Sequence, residues 1–167
     1  MSEQPSHANN APKIAALSAL KEHRKIVCLT AYTASMASRL DAHCDLLLVG
    51  DSVAMVVYGE DTTNTATIEM MIRHGKAVAG HAHNALIVVD MPAGTYESSP
   101  NWAVDNAHKI ISQTEADAVK LEGGVDLAPQ VKAIIASGIP VLGHIGLLPQ
   151  LVNSPDEYRV TGRDSVE

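Results

Sequence analysis

Asp51, Asp90 and Glu122 each end an apolar run of the kind that forms a buried strand: Leu46-Leu47-Leu48-Val49-Gly50, Leu86-Ile87-Val88-Val89 and Ala118-Val119-Lys120-Leu121. One carboxylate in such a place is often a helix cap, because Asp is a favoured N-cap residue. Three in succession, each followed by a loop, match a parallel β/α protein whose strand tips converge on a metal ion or a polar substrate. Their hard oxygen donors suit Mg²⁺ or a similar ion and suit soft metals poorly. The pattern predicts an enzyme rather than a binding module.

Lys120 lies two residues before Glu122, so the two side chains share one face of their strand. A buried lysine beside carboxylates points to an anionic substrate or a charge partner; the plainer alternative is an ion pair with Glu122. His144, between Gly143 and Ile145-Gly146, ends a fifth apolar run. A histidine there can donate to a substrate oxygen, orient a neighbouring carboxylate, or be satisfied by backbone. Ser52 has no evident His/Asp partner in sequence, so it suits presenting its backbone N–H and hydroxyl to a ligand carboxylate better than acting as a nucleophile. His81-x-His83 falls on the opposite rim from the acids and reads as a solvated turn.

Alternating elements must position these groups. Strands are predicted over Lys25–Ala31, Asp45–Gly50, Ala85–Asp90, Ala118–Glu122 and Pro140–His144. Helices are predicted from Pro12 to about Lys21 and over Thr33–His43, Thr67–Gly80, Ser99–Glu115 and Leu127–Ala136, the last closing on Gly138. Val53–Asn64 reads as a loop reaching over the site, and Ser2–Ala11 as a flexible tail. Strands separated by helices imply parallel pairing through right-handed crossovers. A (β/α)₈ barrel typically needs about 250 residues, whereas this chain has 167. Its last residues, Arg163 to Glu167, look like the capped start of a further helix. An open doubly wound sheet is the alternative, but the glycine-rich turn of its dinucleotide-binding form is missing. A single barrel domain over residues 12–167, carrying about the first five β/α units, is the expectation.

Composition narrows the class. Hydrophobic residues make up 46% of the chain, enough for a sizeable core, and that core is aliphatic because Phe is absent and aromatics are 3%. A net charge of −7 without a basic run disfavours a nucleic-acid partner. No apolar run approaches the roughly 18 residues of a membrane span. Cys28 and Cys44 lack CxxC spacing, and Cys28 reads as a small buried hydrophobe, which fits a reducing cytoplasm.

Together these motifs resemble a known family. Val49-Gly50-Asp51-Ser52, Gly59-x-Asp61-Thr62-Thr63, Asp90-Met91-Pro92, Val119-Lys120-Leu121-Glu122-Gly123-Gly124, Gly143-His144-Ile145-Gly146-Leu147 with Pro149-Gln150, and Tyr158-Arg159-Val160-x-Gly162-Arg163 are similar in order and spacing to ketopantoate hydroxymethyltransferases. The resemblance implies a (β/α)₈ TIM barrel of the phosphoenolpyruvate/pyruvate type. It implies transfer of a hydroxymethyl group from 5,10-methylenetetrahydrofolate to 3-methyl-2-oxobutanoate, giving 2-dehydropantoate in pantothenate biosynthesis through a Mg²⁺-stabilised enolate. It also implies one Mg²⁺ per subunit and a homo-oligomer, commonly a decamer. Carried over by position, Asp51, Asp90 and Glu122 form the metal site, while Asp51, Ser52, Asp90 and Lys120 bind the ketoacid. The family's general-base glutamate has no counterpart up to Glu167, so the expectation is a chain lacking its C-terminal part. Departures from the family pattern stand at Ala54, Glu60, Asn64, Ala93 and Leu148. Two alternatives remain open: a Mg²⁺-dependent carbon–carbon lyase acting on a 2-oxo acid, and a non-catalytic product that binds ketoacid and metal.

Overall fold

Apolar runs rich in leucine and valine form one parallel sheet in a computed structural model of the chain, which describes residues 11–152 together with 154, 157 and 160. Its strands are β1 (Cys28–Thr30), β2 (Leu46–Val49), β3 (Leu86–Asp90), β4 (Ala118–Glu122) and β5 (Val141–His144). Their order is β1-β2-β3-β4-β5, and every neighbouring pair is parallel. A doubly wound sheet reverses its strand order at a switch point. Here each strand lies beside its predecessor throughout, which is how a barrel wall is laid down.

Helices α1 (Ala11–Ala19), α2 (Ala34–Leu40), α3 (Val53–Tyr58), α4 (Ile68–Ala79), α5 (Pro100–Thr114) and α6 (Ala128–Ala136) alternate with the strands, with short 3₁₀ turns at Thr63–Thr65, Val125–Leu127 and Pro149–Leu151. Three helix starts are fixed by hydroxyl caps. Thr33, Thr67 and Ser99 accept the backbone N–H of Met36, Met70 and Trp102, each at 3.2 Å, satisfying donors that the first turn leaves open.

Strand alternation separates two apolar layers. Leu47, Val49, Ile87, Val89, Val119 and Leu121 pack with Ala37, Met71, Val78, Ala107, Ile110 and Ile134 of the helices to form the main core. Leu46, Leu86, Val88 and Ala118 point the other way and form a smaller cluster covered by Ile14 and Leu17 of α1. Lys13 ties α1 to this end of the sheet, donating to the Ala85 carbonyl at 3.2 Å and pairing with Asp117 at 3.5 Å. Further along the inner face the residues turn polar, and β-register sets Asp90 opposite Lys120 and Glu122 opposite His144.

Three expectations are corrected. Val53–Asn64 is not a loop throughout: it contains α3 and the Thr63–Thr65 turn. Burial of Val53 and Ala54 holds the short helix despite its valines, and Gly59, with φ of 75°, ends it in the left-handed conformation that glycine tolerates. Cys28 is exposed rather than buried. Among the described residues β1 pairs only with β2, so its inner face opens to solvent and all three of its residues are exposed. The strand is also shorter than Lys25–Ala31. The expected tail lies outside the described residues except Ala11, which starts α1. The helix start at Arg163–Glu167 and most of the Tyr158–Arg163 motif also lie outside them.

Candidate active site

The three acids gather where the inner face turns polar. Lys120 Nζ lies 2.7 Å from Asp90 Oδ1, with both side chains nearly buried. The partner of Lys120 is therefore Asp90 on the next strand and not Glu122 on its own. Asp51, two residues past β2, donates its backbone N–H to Asp90 Oδ2 at 3.2 Å. Glu122 accepts from His144 Nδ1 at 3.0 Å through Oε1 and from the backbone N–H of Gln150 at 3.0 Å through Oε2. Of the three roles open to His144, orienting a neighbouring carboxylate is the one the geometry supports. None of the acids caps a helix: Ser52 precedes α3, Ser99 precedes α5, and Gly124 precedes the turn after β4.

Burial works against these charges. The Asp51 carboxyl is pushed up to about 6, first by burial and then by the charge of Asp90, against the opposing hydrogen bond from Gln150. Asp90 is also raised, because its burial outweighs the attraction of Lys120. Buried carboxylates outnumber the one lysine that faces them, so a cation at this point would relieve the excess negative charge.

Sequence reasoning passed over three residues that organise the site. Gln150, in the Pro149–Leu151 turn, donates through Nε2 to Asp51 Oδ2 at 2.8 Å and to the Met91 carbonyl at 3.0 Å. The buried Tyr96 hydroxyl donates to Gln150 Oε1 and accepts the backbone N–H of Glu122 at 3.3 Å. Burial first of all, helped by nearby carboxylates, raises the Tyr96 phenol well above its usual range, so it stays a donor. Tyr32 places its hydroxyl 2.9 Å from Ser52 Oγ. The available signal was scarcity, since the chain has only four tyrosines and no Phe. Ser52 stands at the first turn of α3 with its hydroxyl free of any cap hydrogen bond. The His81 and His83 side chains are exposed at the other end of β3, as expected of a turn.

The donor set fits a hard divalent cation in chemistry: buried oxygen ligands whose negative charge a cation would offset. Asp51 and Asp90 are in direct contact, and Gln150 stands between Asp51 and Glu122. Among the described residues no three His, Cys, Asp or Glu side chains are yet drawn together as a closed ligand cluster. Ala54, where the family pattern has glycine, is fully buried in the first turn of α3, so its methyl group is absorbed by the core.

Similarity to known proteins follows the same residues. Residues 12–167 match the family model described as ketopantoate hydroxymethyltransferase. The chain is 55% identical over 142 residues to the 3-methyl-2-oxobutanoate hydroxymethyltransferase of Rhodospirillum rubrum, covering 85% of this chain and 51% of that protein. It is 57% identical over 138 residues to the enzyme of the same name from Mesorhizobium japonicum, covering 83% and 48%. The chain thus spans about half the length of the curated relatives it matches.

Solved structures show the fold. Oxaloacetate acetylhydrolase superposes with a TM-score of 0.61 at 15% identity, over 80% of this chain and 51% of that one. Phosphonopyruvate hydrolase in complex with oxalate and Mg²⁺ gives 0.59 at 15% identity, over 78% and 51%. 2,3-Dimethylmalate lyase, a PEP mutase/isocitrate lyase superfamily member, gives 0.55 at 17% identity, over 78% and 51%. The sheet accordingly shares the (β/α) barrel fold of these structures. Taken with the match across residues 12–167, this shows that the chain belongs to the ketopantoate hydroxymethyltransferase family.

Proposed function

We propose that the chain supplies the ketoacid- and Mg²⁺-binding side of a site that makes 2-dehydropantoate from 3-methyl-2-oxobutanoate, 5,10-methylenetetrahydrofolate and water. The observation that carries this reading is the Lys120–Asp90–Asp51 contact at the ends of consecutive parallel strands, with Glu122 beside it. Asp51, Asp90 and Glu122 would hold Mg²⁺. Bound there, the ion supplies positive charge where the ketoacid carbonyl oxygen becomes negative as the C3 proton leaves. The superfamily neighbour crystallised with oxalate and Mg²⁺ supports this pairing, because a 2-oxo acid, like oxalate, presents two adjacent oxygen donors.

Each side chain has a task in this account. Ser52 offers its hydroxyl and backbone N–H to the ketoacid carboxylate. Lys120 pairs with Asp90, opposing the effect of its burial, and adds a second positive group near the developing charge. His144 orients Glu122 through Nδ1. Tyr96 and Gln150 lock the acids from behind. The C3 proton is taken by a base that the family resemblance puts on a later strand, so the described residues bind and polarise rather than deprotonate. The same reading includes a cytoplasmic protein and a homo-oligomeric assembly.

The test is product formation. With that base present in the assembled site, incubation with 3-methyl-2-oxobutanoate, Mg²⁺ and 5,10-methylenetetrahydrofolate yields ketopantoate only when folate and metal are both included. Breakdown of the ketoacid without folate would favour a lyase instead.

A further inference from the structure

Helix α3 is six residues long and half of it is valine, so it is far too short to be stable on its own. Its placement must come from tertiary contacts, and it carries Ser52 at its start. Both of its ends are held through a single residue, Tyr32. At the first end, the Tyr32 hydroxyl meets Ser52 Oγ at 2.9 Å. At the far end, the Tyr58 hydroxyl meets His74 Nε2 at 2.9 Å, and the two rings pack edge to face with centroids 5.7 Å apart. His74 Nδ1 then lies 2.6 Å from the Tyr32 carbonyl oxygen.

The chemistry of these atoms fixes the direction of each bond. A carbonyl oxygen can only accept, so Nδ1 carries the proton and donates to Tyr32. In a neutral imidazole Nε2 is then the acceptor, and the Tyr58 hydroxyl donates to it. Tyr32, Ser52, α3, Tyr58 and His74 close into one ring of contacts linking the segment after β1 to α3 and α4.

We propose that His74, with Tyr58, is a positioning residue for the ketoacid: by clasping the Tyr32 carbonyl it fixes both ends of α3 and so the orientation of Ser52. This deepens the reading of Ser52 as a ketoacid contact and rests on it. Neither His74 nor Tyr58 touches the proposed metal ligands, so their loss acts on ketoacid binding and spares the metal.

The test uses the full chain, labelled with ¹⁵N, and 3-methyl-2-oxobutanoate as the ligand. His74→Phe removes both ring hydrogen bonds. His74→Asn keeps an N–H donor near the position of Nδ1, whereas His74→Gln does not. Losing one or two hydrogen bonds of ordinary strength weakens ketoacid binding roughly three- to tenfold. The expected pattern is that loss in His74→Phe and His74→Gln, partial rescue in His74→Asn, which keeps the Tyr32 bond and loses the Tyr58 bond, and unchanged Mn²⁺ affinity by electron paramagnetic resonance in all three. The Ser52 amide resonance shifts in His74→Phe and moves part of the way back in His74→Asn.

Tyr58→Phe, at a half-exposed position, provides a milder probe should His74→Phe not fold, with a smaller shift of the Ser52 amide expected. A Ser52 amide and a ketoacid affinity that both stay at wild-type values in His74→Phe and Tyr58→Phe would overturn the proposal. If the wild-type chain binds no ketoacid, the functional reading fails, and the Ser52 amide alone still decides whether the clasp exists.

Discussion

Gln150 and Asp51, 99 residues apart in sequence, are joined by a buried hydrogen bond of 2.8 Å from the Gln150 amide nitrogen to the Asp51 carboxylate. The same glutamine accepts from Tyr96, and its backbone donates to Glu122. One residue, through its side chain and its backbone, therefore couples acids from the ends of β2 and β4.

Replacing Gln150 with Leu removes a donor that favours the ionised form of Asp51 and leaves the Tyr96 hydroxyl without its acceptor. An unsatisfied buried group costs about 1–3 kcal/mol. The denaturant midpoint of Gln150→Leu is expected to fall accordingly. Affinity for Mn²⁺ near pH 6.5 is expected to fall several-fold, because Asp51 is then less ionised. A midpoint within error of wild type would remove Gln150 from this role.

Asp51 gives a pH signature in the metal-free protein. Its folded carboxyl titrates at about 6 against an ordinary value of 3.8, so between these values the folded state binds more protons than the unfolded one. Stability from this group is therefore full below about pH 4 and is lost as pH rises through about 6, a change of roughly 1–3 kcal/mol. Asp51→Asn flattens that fall and makes the metal-free protein more stable at pH 7. Urea titrations at pH 4.5, 6 and 7.5 read the effect.

Lys120 and Asp90 form a buried pair, and removing one partner leaves an uncompensated charge. Lys120→Met is expected to destabilise by about 3–5 kcal/mol. Asp90→Asn in the same chain recovers most of that loss. A double-mutant cycle on thermal unfolding gives the coupling, and purely additive effects would contradict the geometry.

Gly75 lies where α4 presses on the sheet. A methyl group there would come within 2.8 Å of Thr114 Cγ2 and 3.1 Å of Val89 Cγ2. Gly75→Ala is expected to cost about 1–3 kcal/mol by overpacking, despite the better helix propensity of alanine. A stabilised variant would mean that α4 and α5 can move apart.

Much of this architecture could be read from residue patterns. The runs ending at Asp51, Asp90 and Glu122 announced β2, β3 and β4, and Thr67 and Ser99 marked helix starts through their caps. Helix α3 escaped because its valines carry no helical signal and only burial and end contacts hold it. The partner of Lys120 escaped because strand register, which sets Asp90 opposite it, is a property of the assembled sheet. Gln150, Tyr96 and Tyr32 escaped for the same reason: their partners lie far away in sequence. Cys28 looked buried because apolar neighbours flank it, but burial also depends on what pairs with β1.

The most direct test is calorimetric titration of 3-methyl-2-oxobutanoate into the chain, with and without Mg²⁺, in wild type and Asp51→Ala. The account predicts binding that requires Mg²⁺ and is abolished in the variant. Binding of equal strength without the metal, or undiminished in Asp51→Ala, would contradict the assignment of Asp51, Asp90 and Glu122 as the centre of the site.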